Sequence, residues 1–117
     1  MRIVDVKAYV VDPDLPEYGS SSERQWTFVQ VETDEGITGW GEATNYPGGG
    51  SFLTAQTVRM LKEVLVGEDP ADIERLWHKM YRRYTYLGAR GLPTTAISGI
   101  DIALWDIKGK ALGRPIY

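Results

Sequence analysis

The first third of the chain alternates in polarity. Val4, Val6, Ala8 and Val10 share one parity while Asp5, Lys7 and Tyr9 share the other, the period of a half-buried strand, and they predict a first strand over about 1–11. A polar run from Asp12 to Ser22, with two prolines and one glycine, reads as a surface loop. It is long for a link between neighbouring strands, and loops of that length usually have a task or are disordered. A second strand, about 24–33, is rich in Trp26, Phe28, Val29 and Val31. Asp34-Glu35-Gly36 forms a short hairpin loop whose glycine can take the left-handed conformation. A third strand, about 37–43, returns through Gly39-Trp40-Gly41-Glu42. A second conspicuous loop follows, Thr44-Asn45-Tyr46-Pro47-Gly48-Gly49-Gly50.

From there the period becomes helical. Ser51 is the expected N-cap of a helix over about 51–66 that ends at Gly67. Asp69-Pro70 reads as a cap followed by proline at the first helical position, opening a helix over about 70–86 with Asp72 complementing its dipole. There Ile73, Leu76, Trp77, Met80, Tyr81 and Tyr84 fall on one face. A third helix, about 93–112, is expected to bury Ile97, Ile100, Ala103, Leu104, Ile107 and Ala111 before Gly113 and Pro115 stop it. Strands first and helices afterwards give an α+β domain: a three-stranded, mainly antiparallel meander sheet followed by three helices.

Composition narrows the function. The 117 residues fit one domain able to bury a core, and a net charge of -3 without clustered basic residues argues against nucleic acid. Arg82-Arg83 read as a solvated pair. Cysteine is absent, so neither disulfides nor a thiolate metal site is available. Charges interleave with aliphatics from Met1 to Lys7, unlike a signal peptide, and no segment has transmembrane length, so a cytoplasmic protein without membrane partners is expected.

Candidate chemistry is sparse. His78 is the only histidine, placed between Arg75 and Arg82 away from the apolar stripe, and reads as a surface residue. Lys108 and Lys110 would share a face only on a strand; on a helix that spacing turns them roughly 200° apart. Asp106 and Lys110 form an i,i+4 pair, whereas Asp101 and Asp106 fall on different faces, with Asp101 beside a buried seam and free to bond neighbouring backbone. The Gly48-Gly49-Gly50-Ser51 turn has the form of an anion nest at a helix start, but no Lys-Ser/Thr follows, so it is no P-loop; a mobile lid is its expected use, with a merely flexible connection the alternative.

The third helix is the most informative segment. Its run Ala96-Ile97-Ser98-Gly99-Ile100-Asp101-Ile102-Ala103-Leu104-Trp105-Asp106-Ile107-Lys108-Gly109-Lys110, followed by Pro115-Ile116, resembles the A-x-S-G-I-D-x-A-L-W-D-I-x-G-K pattern of the mandelate racemase and muconate lactonizing enzyme group of the enolase superfamily. Gly36-Ile37-Thr38-Gly39-Trp40-Gly41-Glu42 resembles the same group's second hairpin arm. The resemblance implies an N-terminal capping domain with the family's enolase N-terminal domain-like fold. It also implies a C-terminal TIM barrel, as partner, that holds the catalytic acid, the base and Mg²⁺. A barrel needs roughly 200 or more residues, so none fits here. No catalytic residue and no metal ligand is therefore assigned to this chain, which alone is expected to be inactive.

By the same resemblance, two loops of the cap enclose a small carboxylate substrate. They map onto Asp12–Arg24 and Thr44–Phe52, with Tyr18, Arg24, Asn45 and Tyr46 as the residues that reach it. Their chemistry suits hydroxyls and a carboxylate, so the parent is expected to be an acid-sugar dehydratase, a lyase. Open alternatives are the cap of an isomerase (a racemase or cycloisomerase) and a stand-alone binding or oligomerisation module that lacks a barrel. A homo-oligomer is expected.

Overall fold

The computed structural model describes residues 1–12, 25–44 and 50–117. Three strands, β1 (Ile3–Val11), β2 (Trp26–Thr33) and β3 (Thr38–Glu42), form one antiparallel sheet in the order β1-β2-β3. Three helices follow, α1 (Gly50–Leu65), α2 (Ile73–Arg83) and α3 (Leu92–Leu112), with a 3₁₀ turn at Thr85–Leu87 between the last two. The α+β meander read from the periodicity is the fold.

Register follows from which parity is apolar. Val6 pairs with Val31 and Ala8 with Val29, all facing the helices, whereas Lys7 pairs with Gln30 on the open face. One residue departs from the alternation: Val4 is exposed and Ile3 is buried in its place. A register shift between Ile3 and Asp5 rephases the strand there, as a bulge does. Ile3 is held by backbone bonds to the α1 exit, its N–H donating to Glu68 O (2.9 Å) and its carbonyl accepting from Gly67 N–H (2.8 Å). The hairpin between β2 and β3 closes on Thr33, whose hydroxyl donates to Ile37 O, while Gly36 takes the left-handed φ of 80°.

Helix α1 packs on β1 and β2, α3 packs on β3, and α2 forms a further layer against α3. Close approach of α3 to β3 is possible because side chains are missing from the interface. A Cβ on Gly41 would sit 2.0 Å from Gly99 O, and one on Gly39 would sit 2.1 Å from Ala103 O. The glycines of the hairpin arm and of the α3 motif are thus two halves of one contact.

Three local expectations change. Ser51 lies inside α1, buried, and donates to Gln25 O (3.2 Å) in the neighbouring strand segment instead of capping. Asp69 closes a turn, its carboxylate accepting from Ala71 N–H (2.9 Å), and α2 begins three residues later than Pro70, at Ile73. Ala111 is exposed, because α3 outruns the sheet beyond Ile107 and the returning tail covers Gly109 instead. The α2 stripe is as expected, with Ile73, Leu76, Met80 and Tyr84 buried and Trp77 and Tyr81 packed against the core.

Candidate functional site

Tyr18, Arg24, Asn45 and Tyr46, the four residues predicted to reach a substrate, lie outside the described residues, as do most of both loops. What the structure defines is where those loops begin and end. β1 runs to one end of the sheet and β2 starts there, with Val11 paired to Trp26; β3 finishes at the same end, with Glu42 paired to Phe28. The antiparallel meander therefore delivers the roots of both loops to a single edge of the domain.

Hydrogen bonds tie those roots together. Ala43 N–H donates to Thr27 O (2.8 Å), and Thr27 N–H donates to the Thr44 hydroxyl (3.3 Å). The Thr27 hydroxyl donates to Ser51 O (3.4 Å), and Ser51 Oγ returns a bond to Gln25 O. The Thr44 hydroxyl in turn donates to the Glu42 carboxylate. Gln25, Thr27, Ser51 and Thr54 are all buried. Gln25 Oε1 and Thr54 Oγ1 find no partner among the described residues. On the open face near this edge, Tyr9, Val11, Trp26 and Trp40 form an exposed apolar patch.

Sequence reading did not pick out this polar knot. A signal exists: Thr27 is polar yet occupies the core-facing parity of Val29 and Val31, where an aliphatic residue is the default.

His78 sits on the exposed side of α2, edge-on to Trp77. Lys110 pairs with Asp106 (2.7 Å) and donates to Thr38 O (2.7 Å), and Asp106 also accepts from Trp40 N–H (2.9 Å). Lys108 instead lies over the Trp105 ring, 4.6 Å from its centroid. Asp101 bonds no described backbone, contrary to expectation, and burial pushes its carboxyl above the usual carboxylate range. Lys62 beside Asp5 holds that carboxyl below its ordinary value, and Lys79 and Arg75 hold Glu68 down to about 2. Among the described residues, no group of three acidic or histidine side chains converges on one point. They do not fit a Mg²⁺ ion, which needs several oxygens around it. No described helix is long and apolar enough to cross a membrane.

Residues 2–117 match the model of the family described as mandelate racemase / muconate lactonizing enzyme, N-terminal domain. The chain belongs to that family. A D-galactonate dehydratase from Variovorax paradoxus is 50% identical over 117 residues, which cover 100% of this chain and 27% of the relative. The crystal structure of the 3,6-anhydro-D-galactonate cycloisomerase from Zobellia galactanivorans superposes with a TM-score of 0.81 at 33% identity, covering 96% of this chain and 29% of that one. A member of the enolase superfamily from Salmonella Typhimurium superposes with a TM-score of 0.74 at 34% identity, covering 95% and 27% respectively. The chain spans about a quarter of the length of these mandelate racemase-group relatives and corresponds to their N-terminal domain.

Proposed function

We propose that this chain is the substrate-capping domain of a sugar-acid dehydratase whose substrate is D-galactonate or a closely related aldonic acid. The observation that carries the reading is the 50% identity, over the whole chain, to a protein named D-galactonate dehydratase. The convergence of both loop roots at one edge supports it, because a lid must present its tips from one side. In this reading Tyr18, Arg24, Asn45 and Tyr46 contact the substrate. The Arg24 guanidinium matches a carboxylate in two-pronged geometry, and the amide and phenols match sugar hydroxyls.

Dehydration removes the proton α to the carboxylate and expels the β-hydroxyl as water, leaving an enol that becomes a 2-keto-3-deoxy acid. The base, the acid and the Mg²⁺ that the resemblance implies belong to the C-terminal barrel of the parent, a cytoplasmic homo-oligomer. The cap excludes water and orients the substrate without transferring a proton.

The test uses the protein extended through its downstream reading frame and a panel of aldonic acids, with 2-keto-3-deoxy acid formation as readout. Tyr18→Ala and Tyr46→Ala are expected to lower kcat/KM about two- to tenfold, unequally across the panel, as loss of a hydrogen bond to a neutral hydroxyl does. The pH optimum is expected to stay put. Wild-type turnover of no aldonic acid overturns the dehydratase reading, and unchanged specificity in both variants overturns the assignment of the two tyrosines.

A further inference from the structure

A groove runs between α2 and α3. It is lined by Ile73, Glu74, Trp77 and His78 from α2 and by Asp101 and Trp105 from α3, with a volume of ≈ 370 Å³. Ile73 is buried, while Trp105 still exposes 39% of its surface. Three observations single this groove out.

The first is that α3 is apolar on both sides. Ile97, Ile100, Leu104 and Ile107 face the core, yet Ile102, Trp105 and Leu112 form a second, exposed stripe that Ile116 and Tyr117 continue. A helix apolar all round is normally covered all round. Secondly, the groove carries two carboxylates, those of Asp101 and Glu74, and His78 as its one basic lining residue, while Arg75 and Lys108 lie in the adjoining pocket on the other side of Glu74 and Trp105. Burial raises the Asp101 carboxyl, and no cation or hydrogen-bond donor among the described residues offsets it. Thirdly, the relatives devote about three quarters of their length to chain beyond the part matched here, so the cover has an evident source.

We propose that this groove receives an arginine or lysine side chain from the C-terminal domain of the same polypeptide, clasped by Asp101 and Glu74 between the indoles of Trp77 and Trp105. A cation on an indole face that also meets a carboxylate gains from both contacts, and each is stronger once water is excluded. The proposal rests on the capping reading in one respect, that a C-terminal domain follows.

The experiment compares the 117-residue chain with the protein extended through its downstream reading frame. In the short chain Asp101→Asn is expected to leave Tm unchanged or to raise it, since it removes a part-buried carboxylate that has no partner among the described residues. In the extended protein the same substitution is expected to lower Tm by about 2–4 °C, and Trp105→Ala to do likewise. Equal responses in the two proteins overturn the proposal. So does a 117-residue chain that sediments as a dimer and that either variant dissociates, because a second copy then fills the groove. Aldonic-acid turnover by the extended protein is scored separately. If turnover is absent while the Tm contrast holds, the dehydratase reading fails and the groove stands; the reverse result removes the groove alone. A reading frame that ends at Tyr117 overturns both.

Discussion

Single atoms decide the contact between β3 and α3. At Gly41 an added methyl group meets backbone at 2.0 Å, and backbone cannot swing aside as a side chain tip can. Gly41→Ala is expected to cost roughly 3 kcal/mol or more in urea unfolding, the upper range for overpacking. Gly36→Ala is a control, since its added methyl meets nothing within 4 Å and only the positive φ is strained, costing about 1 kcal/mol. Charge is decisive at Glu68, where Lys79 (2.5 Å) and Arg75 (2.6 Å) hold the folded-state carboxyl at about 2 against an ordinary 4.5. A depressed folded-state value stabilises the protein above the unfolded value and ceases to do so as pH falls through the folded one. Stability should therefore decline from about pH 4.5 towards 2, and Glu68→Gln should flatten that limb of a urea midpoint titration. The glycines were visible as a motif from the residues alone; their reason, a shared steric contact between distant segments, was not.

Whole elements were readable where one periodicity governed a segment from end to end. The β2 alternation and the α2 stripe are cases, because burial on a single side imposes a single period. The reading failed where a tertiary partner outcompeted a local preference. Ser51 has the chemistry of a cap, yet its hydroxyl goes to Gln25 O because α1 enters the core beside that strand segment. Asp106 shows the converse, an i,i+4 helix pair that also serves the sheet. β3 is an edge strand, and its outward Trp40 N–H is met by the Asp106 carboxylate at 2.9 Å. Asp106→Ala is expected to destabilise the domain by about 1 kcal/mol. It should also speed amide exchange at Trp40 ahead of the β2 amides, a difference that hydrogen-exchange NMR resolves.

Across the whole molecule, the tips of the candidate site rest on chemistry and resemblance, whereas its foundation is structural. Length and composition pointed to two loops, but that their roots share one edge depends on strand order, which no short motif encodes. The union of β3 with α3 also bears on how the domain is made. Trp40 and Asp106 touch although 66 positions separate them. A ribosome adds about 5–20 residues per second, so the sheet waits about 3–13 s for the helix that covers its apolar face. During that interval Val29 and Val31 have no α3 to lie against, and a nascent chain arrested before Leu92 should be cleaved readily by protease. One arrested far enough beyond Leu112 for α3 to have left the exit tunnel should resist. Synthesis of the first ninety or so residues is thus a window of exposure in which a chaperone would find its substrate, and the α3 motif closes it.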